Sequence, residues 1–415
     1  MREQLVSLHP GHEPKIVHQD PIAFASAAPL NNTFAEVPEQ SLAAEKMSKK
    51  THRRIGRGGK LLVFVRDQDF RARTNPARSV TLHCGSQEIG AIDADGEAGG
   101  GSSHEHPPWA GCSYELTPGS WRLRCFAPGI GAVEQAVVVS PGWQTQVFLQ
   151  RRSYPSSGRG RWPDLADASI LMADPGDGFQ AGLDDLRGTE LARQGLRDRR
   201  VVISAKDLRA MVFKKQKNPM LAIYGAHLMI QEKTPDRNFI KRVIKNLREL
   251  VGDHPDVMAL LLWLSPEAEV GSFAEPPMLL SSWSIIVGAT ADRPELVPRG
   301  SLSAAVAQQI ISTGPWLRWR TTQPQGKSFS SDENRIPLGK AVANVAEALP
   351  DNREVIAQQA SRGHAVEREI ISFARQTGNE VTSVSDADVI ARLGVPRTVA
   401  EDAVQAVMNR LSGLP

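Results

Sequence analysis

The residues Ile240, Val243, Ile244, Leu247, Leu250 and Val251 recur at three- and four-residue steps inside the stretch from Asn218 to Leu264, and that spacing places all six on one helical face. Such a face must be buried, because each Val, Leu or Ile side chain removed from water is worth roughly 1.5–3 kcal/mol. Pro235 and Asp236 give the helix a start, Gly252-Asp253-His254 gives it a stop, and Pro255-Asp256 opens the next. With the preceding run NPMLAIYGAHLMI, the stretch predicts three short antiparallel helices whose apolar faces meet.

The chain has 415 residues, enough for roughly two to four domains with real cores. At 41% apolar and 23% charged it has the composition of a soluble globular protein. No apolar leader follows Met1, and the longest clean apolar run, Val257 to Leu264, falls far short of the roughly 20 residues that cross a bilayer. Cys84, Cys112 and Cys125 are an odd set in a long chain, which suits a reducing compartment. A cytoplasmic protein without a membrane span is expected.

Residues 1–57 lack sustained periodicity and end in the basic run KMSKKTHRRIGRGGK, so they predict a disordered or loosely ordered arm. The basic run suits either a solvated tether or a contact with nucleic acid or an acidic partner. From 58 to 152 short β-branched runs alternate with turn dipeptides, among them LLVFV, SVTLHC, WRLRC, VEQAVVV and TQVFL. In WRLRC, Trp121, Leu123 and Cys125 share one face and Arg122 and Arg124 the other, the pattern of a half-buried strand. Six or seven such strands predict a small antiparallel β-sandwich. Asp93 to Trp109 is rich in glycine and predicts a loop. His83, Cys84, His104, His106, Cys112 and Cys125 are residue types that zinc uses, but no CxxC pair supports a site.

Residues 153–163 predict a linker and 164–320 an irregular helical domain, with helices expected over Asp164–Ala173, Gly188–Arg199, Ala205–Lys214, the three central ones, Met278–Ala291 and Ser301–Ser312. A second linker is expected at 321–337. Its Gly326-Lys327-Ser328 is not a phosphate loop, because the required first glycine is Thr321. Residues 338–415 predict a small C-terminal helical domain, within which 386–411 resemble a helix-turn-helix around Gly394-Val395-Pro396. Glu401 and Asp402, near the start of its second helix, would be repelled by phosphate.

No hydrolase signature is present, neither GxSxG, HExxH nor a papain-like or caspase-like pattern, and no cofactor is implied. His227, on an apolar helix, reads as a buried hydrogen-bonded histidine, and His254 as a helix-boundary residue. Arg237, Lys241, Lys245 and Arg248 form a basic helix face that an acidic partner or RNA could meet, although a solvated outer face carries the same charges. Arg392 and Arg397, on either side of the C-terminal turn, join them as candidate partner contacts. Arg161, Lys327 and Arg335 lie in the expected linkers and are candidate cleavage points for a companion peptidase.

The segment YELTPGSWRLRC resembles the turn and strand of PEGA-like and prealbumin-like sandwich modules. The blocks AVVVSPGWQTQVFLQ, WPDLADASILMA, KNPMLAIYGAHLMI and GDHPDVMALLLWL are together similar to a family of large, uncharacterised bacterial proteins associated with caspase-like peptidases and conflict systems. That resemblance, over about residues 60 to 320, implies a sandwich followed by a helical adaptor part. The expected function is therefore a non-enzymatic scaffold or adaptor with another protein as partner. The alternatives are a DNA-binding regulator acting through residues 386–411 and a proteolytic substrate.

Overall fold

The computed structural model describes residues 5–7, 15–17, 38–49, 58–67, 75–100, 108–127, 131–153, 161–174, 176–180, 184–198, 208–209, 212, 217–307, 309–311, 314–321 and 395–402. Lys327, Arg335 and Arg392, His104 and His106, and most of the helix-turn-helix segment lie outside them. In chain order the strands are β1 (Leu5–Ser7), β2 (Lys15–Val17), β3 (Gly59–Arg66), β4 (Val80–Cys84), β5 (Gln87–Ala91), β6 (Glu97–Gly99), β7 (Trp109–Leu116), β8 (Gly119–Ala127), β9 (Gly131–Val139), β10 (Gln144–Ser153), β11 (Arg161–Pro163), β12 (Ser169–Ala173), β13 (Ile310–Ile311) and β14 (Arg318–Thr321). The α-helices are α1 (Pro38–Lys49), α2 (Ile92–Asp95), α3 (Asp184–Asp198), α4 (Pro219–Met229), α5 (Arg237–Val251), α6 (Pro255–Leu264), α7 (Leu280–Ala289) and α8 (Leu302–Val306).

The β-rich half forms two six-stranded sheets. One runs β11-β10-β3-β7-β6, with β12 also on β10, and the other runs β13-β14-β9-β8-β4-β5. Their inner faces share a core that includes Leu61, Val63, Val147, Leu82, Leu123 and Val137. The expectation of an all-antiparallel arrangement is corrected at one pair: β10 lies parallel to β3, from Gln144 beside Lys60 to Gln150 beside Arg66.

The unbroken apolar run LLVFV has a physical reason, since a central strand covered on both sides needs no polar face. Leu61, Val63 and Val65 enter the inner core, while Leu62 and Phe64 pack outward against Ala44 and Met47 of α1. Within the expected arm, residues 38–49 are therefore ordered. Pro38–Lys49 is a helix laid over the outer face of the first sheet, with Gln144 Nε2 donating to Ser48 O at 2.9 Å. At the start of β3, a Cβ on Gly59 would stand 2.4 Å from Val139 Cγ1, so the close approach of the sheets demands glycine there.

Two expected boundaries also move. Arg161–Pro163, placed in the linker, is strand β11 on β10. Asp164–Ala173, expected as a helix, is a 3-10 turn over Leu165–Asp167, capped by Asp164, and then strand β12. The run SILMA is buried throughout, and so short an apolar run does not distinguish a strand from a helix by period alone. At the far end of the expected helical domain, β14 returns to pair with β9. The segments 58–152 and 164–320 thus share sheets and a single core rather than standing as domains joined by a linker. The expected loop from Asp93 opens inside a helical turn, Ile92–Asp95, and contains an edge strand on β7, Glu97–Gly99.

The three central helices fall where the pattern places them. Asn218 caps α4, Asp236 caps α5 and His254 caps α6, each side chain satisfying a first-turn N–H that has no helical partner. Ile240, Val243, Ile244, Leu247 and Val251 are buried, and Leu250 is half-buried against the same core.

A buried serine-histidine-aspartate chain as the candidate functional site

Three helices, α4, α6 and α7, converge on Asp256. This residue sits in the first turn of α6, is wholly buried, and receives the backbone N–H of Leu279 on Oδ1 at 2.9 Å and that of Met278 on Oδ2 at 3.2 Å. Ser282, in the first turn of α7, donates its hydroxyl to Asp256 Oδ1 at 2.5 Å. His227 comes from α4, with Nε2 3.2 Å from Ser282 Oγ and 3.2 Å from the Asp256 carbonyl. Its Nδ1 lies 3.0 Å from Ser281 Oγ.

These contacts fix one direction of donation. A carboxylate only accepts, so the Ser282 proton points to Asp256 and the Ser282 oxygen is left to accept. Nε2 of His227 then carries the proton, and the bare Nδ1 accepts the hydroxyl of Ser281. The chain runs Ser281 to His227 to Ser282 to Asp256, and Ser281 is its half-buried end. Next to it, Nδ1 of buried His254 accepts the Asp256 N–H at 3.3 Å.

Chemically, the chain could in principle take a proton from Ser281. Burial, however, holds the His227 imidazole down to about 4, against the opposing pull of Asp256. Burial likewise lowers the pKa of His254. A general base works best with a pKa near the ambient pH, and His227 lies well below neutrality. What the same contacts do well is tie α4, α6 and α7 together through polar atoms that would otherwise be buried at a cost.

Three ionic clusters engage other charged residues. Glu134 on β9 is fully buried and accepts from Arg122 Nη1 at 3.0 Å, Arg124 Nε at 2.7 Å and Trp319 Nε1 at 3.0 Å. The arginines of WRLRC therefore do not face solvent as a half-buried strand would have them: Arg122 is buried, and β14 brings Trp319 over that face. At the opposite end, Asp67 pairs with Arg151 and Arg161 at 3.2 and 3.0 Å. Asp167 receives Arg152, Arg193 and Arg197. Burial works to raise the Asp167 carboxyl, but Arg193, Arg152 and Arg197 outweigh it and hold the group below its usual range.

The residues singled out in the sequence are spread over separate surfaces. Arg237, Lys241, Lys245 and Arg248 are all exposed along α5. Two of them are engaged within the chain: Arg237 lies over the Trp263 ring at 4.8 Å and donates to Leu264 O at 2.5 Å, and Arg248 is 3.5 Å from Asp253. Arg397 is half-buried and engaged within the chain. Its N–H donates to Thr290 Oγ1 at 3.0 Å and its guanidinium to Ala291 O at 2.6 Å. Arg161, one of the three candidate cleavage points, is a strand residue held by Asp67. Cys112 and Cys125 are core residues and Cys84 is exposed. Among the described residues no group of three or more His, Cys, Asp or Glu is placed to hold a metal ion.

No family model matches the chain, and neither a curated protein nor a solved structure is found similar to it. Among the described residues no helix is long and apolar enough to cross a membrane. Sequence reasoning identified His227 as buried and hydrogen-bonded but missed Asp256 and the two serines. The available signal was Asp256 itself, a carboxylate inside PDVMALLLWL, since a charge within an apolar helix must find partners.

Proposed function

We propose that this protein is a non-enzymatic scaffold or adaptor that works in the cytoplasm by binding another protein. The observation that carries this reading is the state of His227: fully buried, held near a pKa of 4 and bonded across three helices. Among the described residues, His227, Asp256 and Ser282 are spent on packing between helices, while α5 presents charged side chains to solvent. Lys241 and Lys245 lie a helical turn apart on α5 and suit an acidic protein surface.

The resemblance of YELTPGSWRLRC to the turn and strand of PEGA-like and prealbumin-like modules, and of about residues 60 to 320 to a family of uncharacterised bacterial proteins associated with caspase-like peptidases and conflict systems, is in keeping with this reading. So is the start of the C-terminal helix, on which a DNA-binding reading relies. Its first turn is bonded to Thr290 and Ala291, whereas a recognition helix presents that turn to the groove.

Purification of the native complex tests the proposal. A second protein in fixed stoichiometry is expected, and its recovery should fall when Lys241 and Lys245 are both changed to Glu. A clean monomer without any stoichiometric partner overturns the reading.

A further inference from the structure

Residues Val395–Asp402 reach the body of the protein from far along the chain and touch one small region of it. They form the start of a helix, Arg397 to Asp402, with Val395, Val399 and Ala400 buried. The surface they meet is the C-terminal end of α7 and the turn after it. Thr290 Oγ1 accepts the Arg397 N–H at 3.0 Å, Ala291 O accepts Arg397 Nη1 at 2.6 Å, and Val297 O accepts the Thr398 hydroxyl at 3.1 Å. Arg299 completes the contact with a two-pronged grip, Nε on Asp402 Oδ1 at 2.9 Å and Nη2 on Glu401 Oε2 at 2.8 Å.

The character of this contact differs from that of the core. The cation of Arg397 sits past the C-terminal end of α7, where carbonyls lack helical partners and the helix dipole favours positive charge. The apolar part consists of small or β-branched side chains, and the ion pairs of Arg299 are about half exposed and open to salt. A short apolar patch with half-exposed ion pairs is the kind of contact that local opening breaks without global unfolding.

We propose that Val395–Asp402 is a detachable latch seated on a docking surface formed by Thr290, Ala291, Val297 and Arg299. A protein segment of the same chemistry displaces it: small or β-branched apolar residues followed by adjacent carboxylates for Arg299. This deepens the scaffold reading and rests on it for the identity of the competitor as a protein. The latch itself can be tested without any partner.

Hydrogen exchange followed by mass spectrometry on the full chain decides the matter. In Arg299→Glu the amides of 398–402 should exchange at least tenfold faster, while those of 219–264 stay unchanged. Adding Asp402→Arg alone to that variant, which leaves the pair of Arg397 with Glu401 at 2.7 Å in place, should restore protection. A synthetic peptide of residues 395–402 carrying heavy isotopes, added in excess to the wild-type chain, should also speed exchange in the chain's own 398–402. The latch is overturned if Arg299→Glu changes nothing, if the loss of protection spreads through 219–264, or if the peptide has no effect. Failure of partner capture with a latch that opens would count against the scaffold reading alone.

Discussion

Tyr224 and Trp316 meet edge to face with ring centroids 5.9 Å apart, and each sends its polar end to the same strip of backbone: Tyr224 Oη to Ile170 O at 2.6 Å, Trp316 Nε1 to Ala168 O at 2.8 Å. One ring comes from α4 and the other from the segment leading into β14, so the pair joins the helical half to β12 and to the returning chain. Burial raises the Tyr224 phenol well above its ordinary value, so it stays protonated as a donor. Trp316→Ala should cost about 3–5 kcal/mol through the lost ring and the space it leaves. Tyr224→Phe should cost about 1–3 kcal/mol, mostly from the orphaned carbonyl. Equilibrium denaturation in urea measures both.

Asp256→Ala removes the acceptor for Ser282 and for the N–H groups of Leu279 and Met278. A loss of about 3–5 kcal/mol is expected, because three buried donors are left without an acceptor at about 1–3 kcal/mol each. Ser281→Ala removes one hydrogen bond at the half-buried end of the chain and should cost about 1 kcal/mol. If the chain is a packing device, Ser281 will also fail to react with a fluorophosphonate probe at neutral pH, read by intact mass.

The buried His227 imidazole gives the protein a defined acid response. Its pKa is lowered from 6.5 to about 4 in the folded state. Between those values the unfolded chain binds a proton that the folded chain does not, so stability rises with pH across this window and is lost as pH falls through it. Burial lowers the His254 pKa and adds in the same direction. For His227 alone the loss amounts to about 3 kcal/mol at full extent. His227→Gln should flatten the slope of stability against pH between about 4 and 6.5 relative to the wild type. Denaturation midpoints measured at several pH values give the comparison.

On the outer face of the second sheet, Glu134→Ala leaves Arg122 buried without the carboxylate that holds it at 3.0 Å. A loss of about 3–5 kcal/mol is expected, with the edge strand β14 affected first because Trp319 bonds the same carboxylate. Faster amide exchange at Arg318–Thr321 than at Trp121–Cys125 would show that order.

What could be read from the sequence was what local periodicity carries. The central helices, their caps and the strands of the first sheet-forming region all have complete signals within a dozen residues, as Ile240 to Val251 and Trp121 to Cys125 illustrate. What escaped depended on partners far away. SILMA is a strand because β10 is there to receive it, and RWRT is a strand because β9 has a free edge. α1 has only a weak apolar stripe, and it is a helix in place because Phe64 and Trp109 offer it a surface. The hydrogen-bonded chain at Asp256 was invisible for the same reason, since its members are separated by up to 55 positions.

The pairing of β14 with β9 also sets a timetable for synthesis. β9 begins at Gly131 and its outer neighbour at Arg318, so a chain growing from the ribosome has the first of these strands about 10–40 s before the second, at ordinary rates of roughly 5–20 residues per second. Through that interval β9 presents an unpaired edge, a template for wrong neighbours. A fragment ending near residue 152 would keep that edge open permanently. It should aggregate where the longer chain does not, and the nascent protein should depend on a chaperone that shields strand edges until the last strand arrives.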